Sequence, residues 1–475
     1  MLKWSHGDFY TRLEIMGNIA LKVPRFECPE PHIEEIFRFR WMAYSTHLFK
    51  RANGKFIVTE FSTPVSHSGV DGTVSCPAWH HISEGRWIGD RTYMKDYLSF
   101  WLTPEAAPRL YSFPLADSAY RYGLVSGEDD FIAGLFDGLA ENYFAWERER
   151  FDKKYGLFWQ IPDRDGMEFA LLALAYGRGH GGEGYRSTIN SYMYADAVAL
   201  ARMAEKYGHT REAALFAEKA QTLKKNFQFF LWHKKREFFV DRRRDNRFFL
   251  NGLELEGYFP WFCNMPDEKY SCAWKYITDP EYFCGKYGLR TLEKNHEEYL
   301  VEHSIPGMCM WNGWCWPFAS SLALTGMANL LNDYQQNVVT AEDYYKLLET
   351  YTLCHYKDGV PHLAENYEPD EGYWYTDRGE RSKYYNHSSY CDLVISGLAG
   401  FRPADDGSVV INPLIPSDWD YFALSDITFV NRKLSVIFDR NGKKYNYGKG
   451  LFILEDGKVI ASSPAGEKLI LPARG

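Results

Sequence analysis

Two glutamates stand where a proton could be given and taken. Glu168 ends the run Trp159-Gln160-Ile161-Pro162-Asp163-Arg164-Asp165-Gly166-Met167-Glu168, with Phe169 next. Three acids, an arginine and a tryptophan thus fall within eleven residues. Downstream, Gly177-Arg178-Gly179-His180-Gly181-Gly182-Glu183-Gly184-Tyr185-Arg186 is rich in glycine, which lets backbone approach a ligand closely. Glu365 lies in His362-Leu363-Ala364-Glu365-Asn366-Tyr367-Glu368-Pro369, among side chains able to orient a carboxylate or a water. In Met310-Trp311-Asn312-Gly313-Trp314-Cys315-Trp316-Pro317, three tryptophans in six residues read as a stacking wall, with Asn312 aimed at hydroxyls. Plainer readings stay open: a solvated acidic loop, a helix-terminal acid, and a packed loop–helix junction.

Breaking a glycosidic bond needs a proton for the leaving oxygen, plus an activated water or a nucleophile on the other face. An acid kept protonated near neutrality needs a partly desolvated site. Glu168, beside Met167 and Phe169, fits that partner, with Asp163 and Asp165 as rivals. Glu365, beside His362 and Asn366, fits the ionised partner.

Bulk properties narrow the field. The aromatic share is 17%, and many rings adjoin Gly, Asn, His or carboxylates, which favours a sugar cleft over core filler. A net charge of −9 argues against nucleic-acid binding. Nine cysteines form no Cys-x-x-Cys pair and no zinc spacing, so buried free thiols are expected. The pair His80-His81 has no further ligands at suitable spacing, so neither a metal nor a cofactor is expected. There is no nucleophile elbow, no phosphate loop and no dinucleotide fingerprint that follows a strand. No stretch of 18 apolar residues suggests a membrane span. Met1-Leu2-Lys3-Trp4 shows no signal-peptide core, which points to the cytoplasm or, from a truncated start, the periplasm.

The elements that must hold these residues are mainly helical. Residues 1–30 read as an arm, 31–402 as helices, and 403–475 as a small β module with turns at Asn441-Gly442 and Asp456-Gly457. Ser187 to Tyr207 is apolar nearly all round and stops at Gly208, as a helix buried between layers does. The next helix, from Thr210, carries one stripe, Ala213, Phe216, Ala217, Ala220, Leu223, Phe227 and Leu231. Inner helix, short turn, outer helix is a helical hairpin. Further helices are expected near 31–50, 90–103, 128–147, 315–333, 341–355 and 387–399. Trp79–Trp87, Glu256–Trp261 and Tyr384–Ser388 read as loop clusters.

Together these motifs resemble a family. Gly166-Met167-Glu168-Phe169 is similar to the segment that carries the general-acid Asp in trehalases, processing α-glucosidases and mannosylglycerate hydrolases. Glu365-Asn366-Tyr367 resembles the Glu-Asn-Tyr element that carries the general base in the mannosylglycerate hydrolase group. Trp311-Asn312-Gly313-x-x-Trp316-Pro317, and Tyr385-x-His387-Ser388 followed by Asp392-Leu393-Val394-Ile395-x-Gly397-Leu398-x-Gly400, are similar to further elements of these six-hairpin enzymes. The resemblance covers about residues 140–415. It implies an (α/α)6 toroid and an inverting, exo-acting, metal-independent glycoside hydrolase, with Glu168 as acid and Glu365 as base. Contacts to a carbohydrate substrate are expected from Trp159, Asp165, Arg186, Trp311, Asn312, Trp316, Tyr367 and His387. Two departures stand out: Glu replaces the family's Asp, and Ala170-Leu171-Leu172 replaces its Ser-Pro-Arg. Many relatives also carry an N-terminal β-domain, for which thirty residues leave no room.

Two other classes compete. A polysaccharide lyase or sugar epimerase could use Tyr185, Arg186, His180 and His387. A non-catalytic glycan-binding protein would have an aromatic pocket without a facing pair of acids.

Overall fold

A computed structural model describes residues 21–177, 179–303, 309–464 and 468–473. The first twenty residues of the expected arm, and Arg178 of the glycine-rich loop, lie outside them. The fold is helix-rich and ends in a strand sheet.

The long helices follow their apolar periodicity. We number α1 Pro31–Thr46, α2 Ala78–Gly85, α3 Thr92–Trp101, α4 Leu115–Ser126, α5 Asp129–Arg150, α6 Ser187–Lys206, α7 Thr210–Leu231, α8 Pro317–Asp333 and α9 Ala341–Leu353. α6 is buried on most sides and ends ahead of Gly208, whose φ of 81° suits glycine. α7 buries Phe216, Ala220, Leu223, Phe227 and Leu231, while Ala217 of the expected stripe faces solvent. Pro317 opens α8, where its missing N–H costs nothing. Thr340 and Asp343 form a reciprocal capping box on α9.

Neighbours follow one another in chain order. α2 packs on α4, α4 on α6, and α6 on the 3-10 helix Leu255–Cys263. That segment packs on α8, and α8 on the π-helical turn Leu393–Leu398. On the outside, α5 covers α4 and α6, α7 covers α6, and α9 lies on α8 and α1.

Two clusters expected in loops are helical. All eight residues of α2 are buried, so no amphipathic period marks them. Leu255–Cys263 has Pro260 inside it and is buried almost throughout. The tryptophans also differ from expectation: Trp41, Trp87, Trp101, Trp146, Trp261 and Trp274 are fully buried core residues.

The sheets draw on both chain ends. β1 (Arg25–Glu27) pairs antiparallel with β4 (Tyr421–Phe429), followed in order by β5 (Arg432–Asp439), β6 (Gly450–Glu455) and β7 (Lys458–Ser463). A second sheet joins β2 (Phe401–Pro403), β3 (Val409–Ile411) and β8 (Leu469–Leu471). Asp456-Gly457 turns the β6–β7 hairpin with positive φ at both residues. The β4–β5 turn is Val430-Asn431, also at positive φ, a pair without a sequence signal for a turn.

One carboxylate closes the helical chain of contacts. Glu84, near the end of α2, accepts from the backbone N–H groups of Tyr390, Cys391 and Asp392, where the last helical segment begins. Arg86 pairs with Asp392 at 2.6 Å, and Arg40 of α1 reaches both Glu84 and Ser388. These N–H groups have no partner within their own helix, so Glu84 satisfies them. Glu84→Ala should lower the unfolding free energy by about 3 kcal/mol in urea titration; a change below about 0.5 kcal/mol would show that the cap is dispensable.

Candidate active site

The segments that enter the inner helices converge on one cavity. Val74 and Cys76 precede α2, Tyr111 precedes α4, and Asp165–Glu168 lie in the long entry to α6. Cys309, Trp311 and Trp316 precede α8, and Tyr385 with His387 precede the last helical segment. All contribute to one cavity of about 220 Å³, together with Glu60 and Glu365. Sites for drug-sized ligands span roughly 300–1,000 Å³, so this one has room for about one sugar ring.

Glu168 and Glu365 both line this cavity. Gly166 turns the chain ahead of Glu168 at φ 74°, and a Cβ there would press on the Cys76 sulfur at 3.3 Å. Phe169 follows at φ 59°, a strained conformation for a bulky residue. Its N–H donates to Gly179 O at 2.8 Å, and its ring occupies the space where a Gly179 Cβ would sit. The Glu168 carbonyl accepts from Trp311 N–H at 3.0 Å. The acid is therefore clamped from both sides, by the glycine-rich loop and by the tryptophan run. Burial pushes its carboxyl up to about 7, with further upward pressure from Asp163 and Glu365.

Glu365 is held at both oxygens. Ser382 Oγ donates to Oε1 at 2.7 Å, and Cys309 Sγ to Oε2 at 3.2 Å. Burial keeps Cys309 a thiol, able to donate. The Glu365 N–H donates to Thr376 O, and Asn366 Oδ1 accepts from Thr376 N–H at 2.9 Å, which fixes the backbone around Glu365. Trp311 and Trp316 stack at 4.6 Å with planes 7° apart and are the tryptophans that line the cavity among the described residues. His387 packs edge-on against Trp316, and burial drives it well below its ordinary value, so it is neutral.

The rival acids are otherwise engaged. Asp163 pairs with His180 at 3.3 Å. Asp165 touches the cavity but is bound to Arg186 at 3.0 Å and accepts from Thr188.

The expected substrate contacts divide. Asp165, Trp311, Trp316 and His387 line the cavity. Four do not. Trp159 is sandwiched between Arg150 and Arg244, with guanidinium carbons 4.4 and 4.1 Å from its ring centre. Asn312 spends its amide on the carbonyls of Glu298 and Val301. Tyr367 packs against Trp374 and bridges to Cys315 through its backbone. Arg186 is wholly buried behind the site. Of the set that suggested a lyase, His387 alone lines the cavity: Tyr185 is bonded to Asp152 and His180 to Asp163.

Arg186 serves the scaffold. Its guanidinium meets Asp165 at 3.0 Å, Asp241 at 2.9 Å and Glu256 at 2.8 Å. Asp241 also accepts from the N–H of Ser187, the first residue of α6. Asp241, Glu254 and Glu256 place ligand atoms within 4.8 Å of one another. Burial, then mutual repulsion, pushes Glu254 up; burial pushes Glu256 up against the pull of Arg186. The cluster thus escapes the charge of four bare carboxylates around one cation. Arg186→Met should destabilise the fold by about 3–5 kcal/mol in denaturant unfolding, because it strands buried acids. A protein of normal stability that had lost only sugar affinity would contradict this scaffold role.

Glu60, Tyr385 and Cys309 escaped the sequence reading of the site. Tyr385 stood beside His387 in a cluster already noted, whereas Glu60 in Thr59-Glu60-Phe61 carries no local signal.

Residues 70–388 match the family model described as the mannosylglycerate hydrolase MGH1-like glycoside hydrolase domain. Among solved structures, one described as a sialidase is 36% identical, with a TM-score of 0.89 over 94% of this chain and 41% of its own. This chain therefore spans about two-fifths of that protein's length. The GH63 mannosylglycerate hydrolase of Thermus thermophilus, solved with glucose, is 12% identical over 71% of this chain and 95% of its own, at a TM-score of 0.54. The GH78 rhamnosidase of Bacillus sp. GL1 is 14% identical over 88% of this chain and 40% of its own, at 0.60. At such identities the last two show likeness of fold. The matched span contains the loops of Asp165, Glu168, Trp311 and Glu365, and the chain belongs to the mannosylglycerate hydrolase MGH1-like glycoside hydrolase family.

Proposed function

We propose that the chain is an exo-acting, inverting glycoside hydrolase that removes one terminal sugar, with Glu168 as general acid and Glu365 as general base. The observation that carries this reading is that both carboxyl groups line one cavity of about 220 Å³, walled by the stacked pair Trp311 and Trp316. The scaffold in this reading is an (α/α)6 toroid of six helical hairpins over residues 31–402, with 403–475 as a β module. Support comes from the order of helix packing and from the return of the last helical segment to α2 through Glu84 and Arg86.

The division of labour follows from the surroundings. Glu168, raised to about 7, holds a proton that it can give to the departing oxygen. Glu365, fixed by Ser382 and Cys309, takes a proton from the water that attacks the anomeric carbon. The tryptophan pair and neutral His387 wall the ring and thin the water around Glu168. Asp165, anchored on Arg186, presents a fixed edge of the pocket.

Glu168→Gln and Glu365→Gln should each lower kcat by about 10²–10⁴-fold, with urea unfolding unchanged. Glu168 works in its protonated form. Activity of the wild type should therefore be present below about pH 7 and be lost as pH rises through it. Full activity in either variant, or a rate that climbs through that window, would remove the assigned role.

A further inference from the structure

A third glutamate faces the same cavity. Glu60 follows the hairpin Leu48–Lys50/Phe56–Val58 and is 3% exposed. Its backbone is pinned to the loop ahead of the last helical segment: Asn386 N–H donates to Glu60 O at 2.9 Å, and Asn386 Nδ2 to Thr59 O at 3.2 Å. Its side chain is pinned too, since Tyr385 Oη donates to Oε1 at 2.7 Å. Glu60 lies outside residues 70–388, so this wall of the pocket comes from beyond the span that defines the family.

We infer that Glu60 is a substrate-positioning residue, a carboxyl group that, backed by Tyr385, offers a hydrogen bond to a hydroxyl of the sugar held between Glu168 and Glu365. The inference rests on the glycosidase reading above. A buried carboxyl with no strong counter-charge keeps its proton. The groups that face Glu60 are Tyr385, Glu168, Glu365 and, on the cationic side, Arg381, with Cys76 and Tyr111 on neighbouring walls. Burial first, then the two glutamates, push it up to about 8, against the pull of Tyr385 and Arg381. Because Tyr385 occupies Oε1, the proton falls to Oε2, which leaves the group a donor. Neither acid–base step uses this proton, so its place is in binding. A pocket that pairs with a substrate hydroxyl discriminates strongly against sugars that lack it.

The test compares Glu60→Gln, Glu60→Ala and Tyr385→Phe on a panel of 4-nitrophenyl glycosides, with calorimetric titration of the matching free monosaccharides. On the best glycoside, Glu60→Ala should lose about 100-fold in kcat/KM, more through KM than through kcat. Glu60→Gln, which still donates, should recover all but about tenfold of the wild-type value. Tyr385→Phe should raise KM several-fold. In the wild type KM should climb above about pH 8, and in Glu60→Gln it should not. Equal losses in Gln and Ala confined to kcat would overturn the proposal and make Glu60 a proton donor. An Ala variant equal to wild type would overturn it as well. Binding of a monosaccharide that Glu60→Ala abolishes, without hydrolysis of any glycoside, would sink the hydrolase reading and keep Glu60 as a sugar contact. Neither hydrolysis nor binding by the wild type would sink both.

Discussion

Arg186 holds together three stretches of chain that are far apart in sequence. Its guanidinium lies within 3.0 Å of Asp165, Asp241 and Glu256, and water does not reach it. Through Asp165 it fixes the turn that delivers Glu168 three residues later. Through Asp241, which also meets the first N–H of α6, it fixes the start of the most buried helix. Through Glu256 it fixes the 3-10 segment that packs on α6 and α8. Buried ion networks tolerate loss of a partner poorly. The position of the proposed acid is thus set by a charge that is wholly buried.

Above this base the site obeys one rule: its residues lie in the segments that run into inner helices. That placement has an electrostatic side. Helix N-termini present unpaired N–H groups and a partial positive charge. Glu84 answers that charge at one such terminus, outside the cavity. Inside it, each glutamate has its own surroundings. Glu365 has two donors, Glu168 has burial and acidic neighbours, and Glu60 has one donor and two glutamates facing it. Burial thus holds both Glu168 and Glu60 above the usual carboxylate range in one small space.

Much of this was legible in the residues, and the gaps have physical causes. α6 and α7 announce themselves by period and by Gly208, and the run from Trp311 to Pro317 shows where a wall meets a helix. α2 was hidden because a helix buried on every side has no polar face to mark it. The β4–β5 turn was hidden because Val430 and Asn431 adopt positive φ without glycine. Glu365 was readable from its neighbours. Arg186 was readable as a charge, but not as a buried one, since its partners at 241 and 256 are brought to it by folding. Trp159 looked like a sugar platform and is instead clasped by Arg150 and Arg244. Glu60 could not be found at all, because only the fold carries it to the cavity.

The proposed chemistry stands or falls on a water delivered by Glu365 to the face opposite Glu168. Time-resolved proton NMR of the first turnovers, on the best aryl glycoside, reads the anomer of the freshly released sugar before it mutarotates. Attack by that water predicts a first product of the opposite anomeric configuration to the substrate. A first product of the same configuration would mean two successive displacements at the anomeric carbon and would contradict the role of Glu365 as general base.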